Sequence, residues 1–204
     1  MLKKIILFVL LSSGLLSACV SLITPKVESE LVKLKAGQYS LDSSHATLLF
    51  KIQHLGLSTY VGRFNTFDAS LEFDPDNIAA SRLTALIEID SLDINDTDLK
   101  DDLMGRSWFR QSEFPQAKFA SESVTPISET EFEFSGFLNW RGKQKLITVT
   151  ATFHGAASNM LSGKYTLGFS AKGTFSRSDF GVDKFIPLVG DQVTIEAYAE
   201  FLKN

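Results

Sequence analysis

Apolar and polar residues alternate one for one through much of this chain, starting where Leu48, Phe50 and Ile52 are set against Leu49, Lys51 and Gln53. A period of two sends successive side chains to opposite faces, so the stretch reads as a half-buried β-strand. The alternation returns in Phe67, Ala69, Leu71 and Phe73 against Asp68, Ser70 and Glu72. It returns again in Leu83, Ala85, Ile87 and Ile89 against Thr84, Leu86, Glu88 and Asp90. Further strands are predicted over Lys118–Val124, Glu131–Trp140, Leu146–His154, Leu161–Ser176 and Gln192–Leu202. The turn Asp74-Pro75-Asp76-Asn77 and glycine corners at Gly136, Gly142, Gly155, Gly163 and Gly181 separate them. One segment departs from the pattern: between Asp96 and Arg106, Leu99 and Leu103 stand four apart, which is helical spacing. Asp96 is placed to cap that helix, and Gly105 to end it in a left-handed conformation.

Eight or so antiparallel strands with one short helix give an all-β fold, either a sandwich or a closed barrel. The chain holds 17 phenylalanines, and those in strands fall mostly on the apolar side: Phe50, Phe67, Phe73, Phe119, Phe134, Phe153, Phe169, Phe175 and Phe201. One face of the sheet is therefore strongly apolar. In a sandwich it fills a thin core, whereas an eight-stranded barrel has an interior just wide enough for side chains or one slender ligand. Periodicity leaves both open.

The N-terminus follows a different logic. Lys3 and Lys4 precede an apolar run from Ile5 to Leu16, which leads to Leu16-Ser17-Ala18-Cys19 and the sole cysteine of the chain. A basic start, an apolar run and small residues make a secretory signal, and ending it on cysteine is the pattern of a bacterial lipoprotein. The run is too short for the roughly 20 residues of a membrane-spanning helix. An ordinary cleaved signal that leaves one buried thiol is the competing reading. The expected organisation is a signal over residues 1–18, a tether over 19–37 and one globular domain over 38–204, with Cys19 lipidated. Val20, rather than aspartate, resembles the signal for outer-membrane delivery, so an outer-membrane-anchored periplasmic lipoprotein of the bacterial envelope is expected.

Losing Lys3 and Lys4 with the signal takes the net charge from −4 to −6, which argues against nucleic acid as a partner. No thiol remains beyond Cys19 for a disulfide or a thiolate metal site. His45 and His54 lie nine residues apart at opposite ends of one predicted strand, and His154 ends another, so no shared metal site is expected. There is no Gly-x-Ser-x-Gly elbow, phosphate loop or dinucleotide fingerprint. The paired carboxylates, Asp101 with Asp102 and Asp74 with Asp76, read as solvated helix and turn residues. Arg177-Ser178-Asp179-Phe180-Gly181 is more distinctive: a charged pair beside an aromatic and a glycine, suited to a polar headgroup or to a salt-bridged turn. Binding is favoured over catalysis, and an enzyme acting on a prenyl chain would need two titratable groups converging inside the barrel.

From Tyr39 to Phe64 the sequence resembles the opening of the YceI-like family, bacterial periplasmic lipocalin-like proteins associated with polyisoprenoid binding. Ser91-Leu92-Asp93-Ile94-Asn95, then Trp108-Phe109 with Phe114-Pro115 and Phe119-Ala120-Ser121, and finally Arg177 to Gly181 are similar to it in order. The resemblance implies an antiparallel eight-stranded lipocalin-like barrel whose interior holds a long isoprenoid chain, as in a prenylated quinone, or another slender lipid. On that reading Phe50, Ile52, Phe67, Phe73, Ile87, Phe119, Phe169 and Phe175 are expected in the channel wall, and His45, Arg177 and Asp179 at the polar end. Trp140, bulkier than the family tends to have, either shortens the cavity or stacks on a headgroup ring. The chain departs from the family also in its lipobox, since members are commonly soluble after cleavage.

Two functions follow. One is a lipid-anchored carrier of an isoprenoid-tailed amphiphile, touching the membrane through Cys19, with no cofactor beyond a bound isoprenoid-type lipid or prenylated quinone and no metal. The other is a stress-related envelope module with a solid core that binds a protein partner. A homodimer is compatible with either.

Overall fold

The first strand, β1 (Gly37–His54), is long enough to meet two different neighbours along one edge. Its beginning pairs with β3 (Phe67–Phe73) and its end with β2 (Ser58–Phe64), while its other edge pairs with β10 (Val189–Lys203). β2 and β3 thus act as one bent stave, interrupted at Asn65 and Thr66. The computed structural model describes residues 26–159 and 162–204. The signal, Cys19 and the start of the expected tether lie outside the described residues.

Around the wall follow β4 (Arg82–Glu88), β6 (Gln116–Pro126), β7 (Glu131–Trp140), β8 (Lys143–Ser158) and β9 (Tyr165–Ser176), each antiparallel to the next. The short β5 (Leu92–Asp93) continues β4 past a 3₁₀ turn and pairs with β2. Pairing of β10 with both β9 and β1 closes the sheet into an eight-stave antiparallel barrel. Closure removes free sheet edges and decides between the sandwich and the barrel.

The predicted strands all form, half of them longer than the alternation indicated, and Leu161–Ser176 begins later, at Tyr165. β2 was not predicted. Its Gly62 faces Phe50, and a Cβ there would lie 2.4 Å from Phe50 Cε1 and 2.6 Å from Ile94 Cγ2. The glycine that admits the Phe50 ring also breaks the apolar alternation. Gly136 and Gly155 are not corners: they lie inside β7 and β8. A Cβ on Gly136 would meet the Ala120 carbonyl oxygen at 2.2 Å, where β6 bulges against β7.

The helix α1 (Thr97–Met104) forms as its spacing predicts, and the Asp96 carboxylate accepts from the Leu99 N–H at 2.9 Å. Gly105 ends it with φ −72°, so the expected left-handed terminus is replaced by extended backbone whose N–H returns to the Asp102 carbonyl. With the loop that follows, α1 covers one end of the barrel. Leu103 and Trp108 are buried there with Leu92, Phe180 and Val182.

The opposite end is closed by part of the segment read as tether. Glu28 and Ala156 exchange backbone hydrogen bonds of 2.7 and 2.8 Å, a 3₁₀ turn forms at Leu31–Lys33, and Leu34 is buried against Tyr39, Phe73 and Phe153. From Glu28 onward the chain is therefore docked on the barrel as its floor. Tyr39 is fully buried, and its hydroxyl donates to the Lys35 carbonyl at 2.5 Å.

Candidate functional site: an apolar cavity inside the barrel

The inward side chains leave the barrel hollow. Between the floor and the α1 end lies a cavity of about 530 Å³, within the size range of small-molecule sites. Its wall is almost wholly aliphatic and aromatic. The alternation that builds the strands delivers these residues: Leu83, Ala85 and Ile87 from β4, Phe169 and Phe175 from β9, Val193, Ile195 and Ala197 from β10.

Of the expected wall residues, Phe50, Ile52, Phe67, Ile87, Phe119, Phe169 and Phe175 line the cavity, as do Trp140 and Arg177. Phe73 does not. It is buried in the floor, its ring edge-on to Tyr39 at 6.4 Å and to Phe169 at 6.3 Å. Parity put it on the correct face, but the floor covers that end of β3.

The expected polar end is not assembled. His45 is exposed on the outer surface in a bulge of β1, its Nδ1 2.9 Å from Asp42 Oδ2. The bulge adds residues between Leu41 and Ala46, and His45 beside it takes the face opposite to that of Leu48, Phe50 and Ile52. The Ser44 hydroxyl and the His45 ring hold the Asp42 carboxyl down to about 2, and Asp42 in turn raises His45. Glu200 completes a group whose ligand atoms lie within 4.8 Å of one another. The group is outside the cavity, and its carboxylate at Asp42 is already engaged by Ser44 and His45. Asp179 is likewise outside, half exposed and 3.8 Å from Lys145 Nζ.

Arg177 lines the cavity yet has little to offer a ligand. Its Nε donates to the Gly190 carbonyl at 2.8 Å, Nη1 to Val182 at 2.9 Å, and Nη2 to Lys184 and Val189 at 2.9 Å each. Burial lowers its pKa, and no carboxylate is hydrogen-bonded to it among the described residues. The guanidinium is a clamp on the loop from Val182 to Gly190. Ser178 donates to Asp191 from both its backbone N–H and its hydroxyl, fixing the start of the same loop.

That loop, the β1–β2 turn and the segment after α1 form the mouth, which the sequence reading missed. Trp108, Phe109, Tyr60, His54 and Phe185 line the cavity here. Trp108 and Phe109 belong to a stretch of the family resemblance, but they lie outside any strand and carry no alternation. Burial raises the Tyr60 hydroxyl pKa, with a smaller contribution from Asp96. Trp140 packs among Phe109, Phe175 and Phe180, with ring centroids 5.5, 6.2 and 5.4 Å away. Its indole N–H is buried without a hydrogen-bond partner.

The YceI-like domain family matches residues 39–201, nearly the whole barrel wall. A UPF0312 protein of Vibrio cholerae (serotype O1, strain M66-2) is 33% identical over 149 residues, covering 72% of this chain and 78% of that protein. The crystal structure of BcnA from Burkholderia cenocepacia superposes with a TM-score of 0.71 at 25% identity, over 78% of this chain and 98% of that one. A polyisoprenoid binding domain from Saccharophagus degradans, implicated in plant cell wall breakdown, has a TM-score of 0.63 at 13% identity, over 81% of this chain and 98% of its own. At that identity the likeness is one of fold.

Proposed function

Because the chain belongs to the YceI-like family and encloses an open apolar cavity of about 530 Å³, we propose that it binds and carries a slender isoprenoid-tailed amphiphile, such as a prenylated quinone. The cavity carries this reading. A barrel that served stability alone gains from being filled, since interiors pack to a density of about 0.75 and each void forfeits contacts. A hydrocarbon chain in the same space recovers roughly 25 cal/mol for each Å² of apolar surface withdrawn from water. At roughly 30 Å³ for a group the size of water or methylene, the cavity takes about 18 carbons. A longer tail continues through the mouth.

In this reading the floor stops the chain at Phe73, Tyr39 and Leu34, and the polar head stays near Tyr60, His54 and Trp140. Lipidation of Cys19 would keep the carrier at an envelope membrane. The polyisoprenoid binding domain of S. degradans, which has the same fold, supports the ligand class. The rival reading, a solidly packed barrel that binds a protein partner, is disfavoured by the cavity.

Mass spectrometry of gently purified protein under non-denaturing conditions tests the proposal. A bound lipid with the isoprene mass increment is expected. Protein that comes off the membrane ligand-free, and takes up no prenylated quinone offered in detergent, would defeat it.

A further inference from the structure

We propose that the mouth of the barrel docks directly on a lipid bilayer through two apolar loop tips, Leu55–Leu57 and Phe185–Leu188. The inference rests on the carrier reading above. Ten large apolar side chains are notably exposed among the described residues, and five of them, Leu55, Leu57, Phe185, Ile186 and Leu188, lie on these two tips. The others are dispersed: Val27 and Ile127 near the floor, Val61, Leu146 and Tyr198 on the wall. Leu57 is 85% exposed, far more than its apolar surface favours in water.

The two tips form one surface. The Leu55 N–H donates to the Leu188 carbonyl at 2.7 Å, and β1 and β10 pair beneath them at His54 and Val189. Each tip is closed on itself, by Leu57 N–H to the His54 carbonyl at 3.0 Å and by Val189 N–H to the Phe185 carbonyl at 2.8 Å. Arg177 holds the second tip from behind through four carbonyls. Exposed apolar groups are thus presented on a braced scaffold. Leu55 and Phe185 are themselves held at φ 54° and 63°, a left-handed conformation uncommon for such residues.

Continuity with the cavity and local charge select the occupant. Phe185 is 55% exposed and also lines the cavity, its ring 6.2 Å from Trp108. The outer patch and the inner wall therefore meet at one side chain, and a chain leaving the bilayer would pass between apolar groups throughout. Lys184 Nζ lies 4.9 Å from the centre of the Phe185 ring and 5.8 Å from that of Trp108. Segments 54–58 and 184–190 contain Lys184 and His54 and no carboxylate, with Asp183 and Asp191 just outside them. Apolar tips beside a cation suit the acyl boundary and the phosphates above it. A second copy packed mouth to mouth would instead seal both cavities. Among the described residues no helix is long and apolar enough to cross a membrane.

The test uses the expected mature chain, residues 19–204, carrying Cys19→Ser, which removes both the apolar signal and any acyl anchor, and vesicles of phosphatidylcholine with a minority of phosphatidylglycerol. Co-sedimentation is expected, and Leu57→Ser with Leu188→Ser should lower partitioning about tenfold or more. Val61→Ser with Leu146→Ser removes two exposed apolar groups from the wall and should leave it unchanged. Equal loss in both double variants, or no vesicle binding by the parent, overturns the proposal. So does a parent dimer that the tip variant makes monomeric without a change in partitioning, since a second copy would then cover the tips. Prenylated quinone offered in detergent separates the two readings. Uptake without vesicle binding keeps the carrier and rejects the docking surface; vesicle binding without uptake supports the docking surface and rejects the carrier.

Discussion

The Arg177 guanidinium carbon lies 5.4 Å from the centre of the Trp108 ring, so one cation joins the loop it clamps to the segment that follows α1. Both sides of the mouth thereby depend on a single side chain that is 2% exposed. Its four acceptors are backbone carbonyls of residues 182–190. Those carbonyls are drawn together by the planar fork of donors that arginine alone presents.

Replacing Arg177 by Met should cost about 2–4 kcal/mol, because several part-buried carbonyls lose charged donors together. Lysine should not rescue it: one ammonium lacks the fork that reaches four acceptors. Urea unfolding of the two variants checks both statements. An Arg177→Lys chain as stable as the parent would show that charge, rather than geometry, fixes the loop.

Ala85 lines the cavity from the centre of β4, opposite Ala69 on β3 and Phe119 on β6. Ala85→Phe fills space that a ligand would take while leaving the outer surface unchanged. Retention of a prenylated quinone should fall at least about tenfold, with a change in stability within roughly 1–3 kcal/mol of either sign. Fluorescence quenching by the quinone and thermal unfolding report the two effects separately. Undiminished uptake would place the ligand elsewhere.

The Asp42–His45 pair gives stability a pH dependence of known sign. His45 is raised above 6.5 by its bond to Asp42 and by the charges of Asp42 and Glu200, so its contribution is complete below that pH and is lost as pH rises through the folded value. Asp42 is lowered from 3.8 to about 2, so its contribution is present above 3.8 and is lost as pH falls toward 2. The pair therefore stabilises most between about pH 4 and 6.5. The melting temperature of His45→Ala should lie below that of the parent in this window and converge with it on the alkaline side. A constant difference across pH would mean that the ring acts by packing alone.

Which of these features the sequence discloses follows from where the physics is local. Phe50, Phe119 and Phe169 were legible as wall residues because strand parity fixes the side each takes, and α1 because Leu99, Leu103 and Asp96 keep helical spacing. Phe73 shares that parity, yet its fate depends on Leu34, a residue from the apparent tether that packs over it. His45 is on the outer face that parity with Leu48, Phe50 and Ile52 gives it, so only the resemblance, and not the strand, put it at the polar end. Arg177 looked like a headgroup ligand because its partners are carbonyls, which no residue pattern records. Trp108 and Phe185 were hidden for the converse reason: they reach the cavity from loops, where apolar residues have no period to reveal their direction.

Cys19→Ser bears on the N-terminal expectation directly. The wild-type chain produced in a diderm bacterium should incorporate a clickable fatty acid and fractionate with the outer membrane, and the serine variant should lose the label. Labelling that persists in the variant would remove the lipobox reading. Loss of labelling without loss of quinone uptake would show that the barrel binds its ligand as a diffusing protein also.

The unpartnered Trp140 indole bears on the head of the ligand. A buried donor without an acceptor costs about 1–3 kcal/mol, and a carbonyl in the cavity would recover part of that. Trp140→Phe deletes the donor while keeping an aromatic ring among Phe109, Phe175 and Phe180. Affinity for a prenylated quinone should then fall about tenfold, the equivalent of roughly 1.4 kcal/mol. Affinity for a prenyl hydrocarbon of equal length, which has no acceptor, should stay within about twofold, because it loses no hydrogen bond. Competition between the two ligands, measured in parent and variant, yields the ratio directly. If both affinities fall together, the indole contributes shape alone and the head of the ligand lies outside the aromatic cluster.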